Sequence, residues 1–479
     1  FSLEDLLLCY GPVPAEWTPG PALPFCGVAI DSRRCQPGEL FFALPGEHRD
    51  GHDFIEEALA KGCPAVVARA DRFPVERCMQ LGLEAYSWQG TSWQRTGPEH
   101  ARGAVVRVSN TLEALQRLAA RHRERFHPVV IGVTGSVGKS TTKEAIAAVL
   151  SRGFRTLKSV ASYNNEIGLP LTMLSLRPEH EVVVLEMGTY GPGEIRLLAQ
   201  IARPHIGVVT NVSHSHLERM GTLERIAQAK AELPASLPPD GLALLNGDEP
   251  LVRGMAEVTR APVQYFGVRA DCHIRATEVR SLGLEGIEFG VQADGEERFL
   301  RCSLVGRHSI YSALPAVALG RRLGLAWEAI EAGLLDPAAR LRLLPSAGPR
   351  GSLLLDDTYN ASPFSCRAAL ELLAELPGRH IAVLGDMLEL GSYEEEGHRE
   401  VGRLAAGVVE LLVVLGARSR WIAEEAMAYG LDRERVYEAR DHEDAACWLL
   451  EQLQPGDVVL VKGSRAMEME RVIAALGGR

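Results

Sequence analysis

The sequence predicts an α/β protein of three domains, on three observations. Its 479 residues are about three times the usual domain length. From Pro128 onward, apolar runs of strand length alternate with helical stretches, the pattern of parallel strands buried on both faces. The rhythm changes near Pro128 and again past Arg340, which places the domains at 1–124, 125–338 and 339–479.

In the first domain, residues 27–30 and 38–44 read as strands and 54–61 as a helix, with turn-rich loops between them. A polar stretch around Trp88 and Trp93 reads as an inserted surface hairpin or loop, and a helix from Thr111 to about Phe126 leads out of the domain. The whole is a small mixed α/β unit. The central domain takes its buried strands from residues 129–133, 182–185, 206–210 and 242–245, which predicts a mostly parallel sheet. Strands at 353–355, 381–384, 411–415 and 458–461 predict a second doubly wound, Rossmann-like sheet in the last domain.

Composition narrows the function. Hydrophobic residues at 46% and charged ones at 24% exclude a disordered or fibrous chain. Lys and Arg number 51 against 62 Asp and Glu, a net charge of −11. Such a chain is unsuited to wrapping nucleic acid, so an anionic ligand needs a local site. No apolar stretch approaches the 18 or so residues of a membrane helix, and Phe1 to Asp5 lack the basic start of a signal peptide. The nine cysteines are scattered without a C-x-x-C pair, as in reduced thiols. A cytoplasmic monomer without membrane insertion is the expectation.

The strand at 129–133 runs into Thr134, Gly135, Ser136, Val137, Gly138, Lys139, Ser140, Thr141 and Thr142, and a helical run follows from Lys143 to Leu150. Strand, glycine-rich turn and helix in this order aim backbone N–H groups and the positive helix end at one point, which binds phosphate without a large net charge. Lys139 is placed to reach the β- and γ-phosphates of a nucleotide and Ser140 to bind Mg²⁺. The spacing is shorter than G-x-x-x-x-G-K-[ST]: Val133 stands five before Gly138. Glycines kept only for tight packing are the alternative.

Two further residues fall at carboxyl ends of neighbouring strands, where open parallel sheets gather ligands. Glu186 closes one strand and would hold Mg²⁺ under the phosphates. His216, in Asn211 to Glu218, would support a second metal. A carboxylate serving a helix dipole and an exposed loop histidine, with His214 a rival, are the plainer readings. Lys230, among small residues of a helix, reads as an ordinary surface lysine.

Together these stretches resemble the Mur ligase family, ATP-dependent amide-bond formers of peptidoglycan synthesis. The resemblance covers nearly the whole chain. It adds Asp31-Ser32-Arg33 and Asp50-Gly51-His52 in the first domain, and Asn164-Asn165-Glu166-Ile167-Gly168 and Glu186-Met187-Gly188 in the second. In the last domain it adds Asp356 to Pro363, Leu384 to Gly391 and Lys462-Gly463-Ser464-Arg465, the first two marking the dipeptide-adding branch.

The resemblance implies UDP-N-acetylmuramoyl-tripeptide, D-alanyl-D-alanine and ATP as substrates, with two Mg²⁺ ions. It turns Lys230 into a candidate carbamylated lysine that orders the magnesium site. Asp357, Tyr359 and Asn360 are implied to meet ribose and adenine, and Arg340 to hold phosphate during closure. Ser32 and Arg33 are implied for the UDP-sugar, and Asn164 and Asn165 for the peptide end.

Turn formation and capping are the alternative roles for Asp31 to Arg33, Asp357 and Asn360, core packing for Tyr359 and a solvated linker charge for Arg340. The chain departs from the family pattern at Ser309 and Ser312, where relatives carry Asn, and at Ser362. A hydroxyl replaces an amide with both donor and acceptor, which leaves the adenine contacts at Ser309 and Ser312 without that group. The rival functions are a sister Mur ligase, a folylpolyglutamate-type synthetase, or a P-loop NTPase switch.

Overall fold

The computed structural model describes residues 1–14, 17, 24–46, 48–98, 100–215, 217–340 and 343–477. The architecture is three-domain α/β with mostly parallel sheets. Strands form three sheets, and the chain packs as two compact units: residues 1–129 with 159–181 and 197–203, and residues 130–158, 182–196 and 204–479.

The first unit holds a six-stranded sheet in the order Val28–Ala29, Leu40–Phe42, Ala65–Arg69, Ala104–Val108, Glu84–Trp88, Trp93–Thr96. All neighbours are parallel except the final hairpin. Phe41, Val66, Val105 and Ile55 form its core. The Trp88/Trp93 insert is a hairpin, the first of the two forms expected, and it makes the antiparallel edge of this sheet. Trp93 is buried, and its indole N–H donates to the Leu7 carbonyl at 3.1 Å, so its aromatics serve packing.

The second unit carries two sheets. The nine-stranded one runs Glu296–Cys302, Ile287–Ala293, Ile274–Ser281, Val263–Gly267, Leu242–Asn246, Ile206–Val209, Val129–Thr134, Val182–Glu186, Thr156–Lys158. It is parallel from Thr156–Lys158 through Ile274–Ser281 and antiparallel beyond. The six-stranded one runs Leu344–Ala347, Leu353–Asp357, Val458–Lys462, His380–Gly385, Leu411–Leu415, Val436–Ala439, with only the first strand antiparallel. Its two faces bury separate clusters, one around Leu355, Leu370 and Leu412 and the other around Leu354, Val383 and Val459, as a sheet covered by helices on both sides must.

Among the described residues no helix is long and apolar enough to cross a membrane, and the nine cysteines are all free.

Candidate active site

The helix after the phosphate loop begins at Lys139 and runs to Leu150, four residues earlier than the sequence reading. Lys139 and Ser140 therefore occupy its first turn, where backbone N–H groups lack helical partners and face outward. The loop is held from the adjacent strand end. Asn211 Oδ1 accepts from Val137 N at 2.8 Å while Asn211 Nδ2 and Thr210 Oγ1 donate to the Val137 carbonyl at 2.9 and 2.8 Å. Ser136 N donates to the Asn211 carbonyl at 3.0 Å.

Gly135 has no room for a side chain. Its φ is +151°, and a Cβ there would stand 1.9 Å from Thr210 Oγ1. Gly135→Ala is expected to cost about 2–4 kcal/mol in thermal or denaturant unfolding. A loss below about 0.5 kcal/mol, the scatter of surface substitutions, would show that the loop can yield.

Three charged groups converge on this turn. Lys139 Nζ donates to the carbonyls of Gly135 and Ser136 at 2.9 and 3.0 Å. Lys230 is 3% exposed, and its Nζ donates to the same Gly135 carbonyl at 3.0 Å. Burial first, and then the Lys139 charge, hold the Lys230 amine well below the usual lysine range. The surface-lysine reading is thus corrected: the small neighbours Ala229 and Ala231 let the side chain turn inward. Glu186 is 2% exposed and its Oε2 accepts from Ser140 Oγ at 2.7 Å. This buried carboxylate beside a hydroxyl gives two hard oxygen ligands, and Mg²⁺ in phosphate sites usually takes one or two such ligands plus phosphates and water. The residues present thus fit Mg-nucleotide. His216 lies outside the described residues.

On the opposite side of the loop, Thr142 Oγ1 donates to Ser312 Oγ at 3.0 Å. Ser309 Oγ is engaged with the Val305 carbonyl at 2.6 Å.

The C-terminal sheet supplies a second group at its own strand ends. Asp357 and Lys462 are register partners on adjacent parallel strands, both buried and ion-paired. Lys462 Nζ also donates to the Asn360 carbonyl at 2.9 Å. The sequence reading named Lys462 only within a motif and gave it no role; the signal for this buried partner of Asp357 is a single lysine closing the apolar run Val458 to Val461. Tyr359 and Asn360 are exposed beyond this pair, with the Arg465 guanidinium 5.9 Å from the Tyr359 ring centre. Tyr190, four residues past Glu186, sits under Arg219 at 4.8 Å. Its phenol is pushed up by burial and then by Glu389, with Tyr359 also contributing. Loops of the two sheets therefore face one another.

Arg340 stands at the join. Its Nη2 donates to the carbonyls of Ser303 and Leu284 at 2.6 and 2.8 Å, so it is committed to backbone rather than solvated as a linker charge.

In the first unit, Asp31 Oδ1 accepts from Arg33 N at 3.0 Å and caps a 3₁₀ turn over Ser32–Arg34. The Arg33 side chain pairs with Asp31 at 2.8 Å and remains exposed, whereas Ser32 is buried and donates to Glu57 at 2.9 Å. Asn165 Oδ1 accepts from Gly168 N at 2.9 Å, turning the chain into the helix Gly168–Leu174. Asn164 lies in the same segment.

His308 adjoins the Asp357–Lys462 pair. Burial pushes its imidazole down from 6.5 to about 4, with Asp357 opposing and Lys462 adding to the shift. A lowered histidine pKa means that the unfolded chain takes up the proton first. Its contribution is fully present above pH 6.5 and is lost as pH falls through about 4, at most about 3 kcal/mol. His308→Asn is expected to flatten the acid limb of stability between these values, and an unchanged limb would contradict this. His122, His214 and His398 shift in the same direction, so the limb is reduced rather than removed.

A phosphate loop with an inward lysine pair and a buried carboxylate, at the carboxyl ends of a mostly parallel sheet, defines a P-loop nucleotide enzyme. Three family models match the chain: "Mur ligase family, catalytic domain" over residues 24–123, "Mur ligase middle domain" over 133–320 and "Mur ligase, glutamate ligase domain" over 339–465. The UDP-N-acetylmuramoyl-tripeptide–D-alanyl-D-alanine ligase of Bacillus subtilis is 35% identical, covering 94% of this chain and 93% of that one. MurF from Acinetobacter baumannii superposes with a TM-score of 0.83 at 28% identity, covering 99% and 98%. MurF ligase from Thermotoga maritima in complex with ADP gives 0.76 at 28%, covering 95% and 97%. The chain belongs to the Mur ligase family.

Proposed function

We propose that this chain is an ATP-dependent ligase that joins D-alanyl-D-alanine to UDP-N-acetylmuramoyl-tripeptide, giving the UDP-muramoyl-pentapeptide precursor of peptidoglycan, and that it acts as a cytoplasmic monomer divided at 1–124, 125–338 and 339–479. The whole-length likeness to ligases of that name carries this reading.

A carboxylate is a poor acyl donor because its leaving group would be oxide. One oxygen of the tripeptide carboxylate attacks the γ-phosphorus, the bond from that phosphorus to ADP breaks, and an acyl phosphate forms. The dipeptide's neutral amine then attacks the acyl carbon, inorganic phosphate leaves with the bonding pair, and the amine gives up a proton as the amide forms.

Both partners in the first step are anions. Lys139, turned onto the loop carbonyls, is the cation placed to follow charge onto the γ-phosphate. Bound magnesium, two ions on this reading, supplies further neutralisation; Ser140 and Glu186 would hold one and His216 the other. Backbone from Gly135 to Thr141 cradles the phosphates. Burial favours the neutral amine of Lys230, the form that reacts with carbon dioxide, and its carbamate would add the negative charge that orders the metal site.

Asp357, Tyr359 and Asn360 would take the adenosine, and Arg340, now bound to Ser303 and Leu284, would hold phosphate as the sheets close. Ser32 and Arg33 would meet the UDP-sugar, and Asn164 and Asn165 the peptide. Exclusion of water protects the acyl phosphate.

Incubation with ATP, Mg²⁺, UDP-N-acetylmuramoyl-tripeptide and D-alanyl-D-alanine is expected to give the pentapeptide product by mass. Amide formation only with a different amine would assign the chain to a sister ligase.

A further inference from the structure

Among the described residues, two contacts between the C-terminal sheet and the nine-stranded sheet stand out. The first is the join, where Val305 and Leu343 enter the C-terminal core and Arg307 pairs with Glu375 at 3.1 Å. The second is the segment from Asp386 to Tyr393.

That segment is fixed from behind. Asp386 Oδ1 accepts from Arg418 N and Ser419 N at 3.0 and 2.7 Å, and Leu388 N donates to Ser464 Oγ at 2.8 Å. Met387 N donates to His398 Nε2 at 2.9 Å, and the other ring nitrogen of this fully buried histidine lies 2.6 Å from the Glu394 carbonyl. Nε2 accepts, so the proton is on Nδ1.

In front, the segment meets the chain that follows strand Ile206–Val209. Glu218 N donates to the Glu389 carbonyl at 3.2 Å. Gly391, at φ +54°, approaches so closely that a Cβ would lie 3.0 Å from Glu218 Cα. The Tyr393 ring stacks on His214 at 3.9 Å and 15°, and it packs against the cluster of Val212, Leu217 and Met220. Tyr393 Oη donates to Glu400 at 2.8 Å, which sets the ring from its own side. The next helix along, Leu223–Ala235, carries Lys230 into the phosphate turn. A rigid loop, a glycine required by close approach and an aromatic stack thus converge just beside the catalytic strand ends.

We infer that the Asp386–Tyr393 segment is a docking element that registers the C-terminal sheet over the phosphate site, with Gly391 and Tyr393 as positioning residues for ligation. The inference rests on the ligase reading for its kinetic consequence alone. Two attachments fix an orientation where one leaves a hinge, and a misplacement of about 1 Å costs on the order of a hundredfold in rate.

Tyr393→Ala, Tyr393→Phe and Gly391→Ala are compared with the parent enzyme for turnover, phosphate released per amide formed, and hydrogen exchange of the Glu218 amide. Tyr393→Ala and Gly391→Ala are expected to lower kcat by about ten- to a hundredfold and to raise phosphate per amide above one, because a loosened cleft admits water to the acyl phosphate. Tyr393→Phe, which keeps the ring, is expected to recover most of the lost turnover. A fold defect alone would lower the amount of active enzyme without changing that ratio. The Glu218 amide is expected to be protected in the parent and to exchange faster in Tyr393→Ala. Turnover and coupling within about twofold of the parent in Tyr393→Ala, or a Glu218 amide that exchanges equally in both, would overturn the inference. A parent that forms no amide would sink the ligase reading, while the exchange comparison would still decide this one.

Discussion

Lys139→Ala is expected to lower acyl-phosphate formation by at least about a thousandfold while unfolding within about 1 kcal/mol of the parent. The side chain is half-buried at the head of its helix and donates to loop carbonyls, so its removal opens no core cavity. Its rate effect is large because two anions must approach in a site walled by backbone, where one preorganised cation acts in a low effective dielectric. Loss of the Lys139 charge also removes the second cause that holds the Lys230 amine down, so Lys230 should titrate higher in this variant. Single-turnover phosphate transfer and a thermal melt measure the two effects. Near-parental turnover in a folded variant would refute the assignment of the phosphate loop.

Glu186→Gln is expected to lower kcat/KM by about a hundredfold or more and to move the Mg²⁺ requirement to higher concentration. The substitution is nearly isosteric, and the amide can still meet Ser140 Oγ at the 2.7 Å seen for the carboxylate, so packing at this 2%-exposed position is retained. Only the charge changes. Without magnesium, removal of a negative group beside the phosphates should leave nucleotide affinity equal or tighter. With magnesium, affinity should fall. Equal losses in both conditions would mark Glu186 as a structural carboxylate. Titration of a fluorescent nucleotide with and without Mg²⁺ separates the two.

Much of this site was legible in the sequence because its parts are local. The phosphate loop needs only a strand before and a helix after, and both announce themselves within about twenty residues of chain. The apolar parallel strands were legible for the same reason. The antiparallel extension from Ile274 to Cys302 was not, because it is an edge rich in Arg and Glu whose outer strand is exposed at most positions; its partners, not its composition, make it a sheet. The hairpin around Trp93 was legible, but the partner of its indole was not, because the carbonyl that holds it lies 86 positions away. Arg340 likewise finds carbonyls 37 and 56 positions distant. Lys230 looked ordinary until the fold set it against Gly135, 95 positions earlier. Charged side chains that end up buried were the residues least visible in sequence, since their partners come from other strands.

The mechanism turns on whether the tripeptide carboxylate itself takes the phosphoryl group. The direct measurement uses UDP-N-acetylmuramoyl-tripeptide labelled with ¹⁸O in its terminal carboxylate, with ATP, Mg²⁺ and D-alanyl-D-alanine, and follows the mass of the released phosphate. An acyl-phosphate route leaves one carboxylate oxygen on the phosphorus, so phosphate carrying one ¹⁸O is expected alongside the amide. Unlabelled phosphate, released at the same rate with or without the two substrates, would contradict it and make the chain a nucleotide-hydrolysing switch.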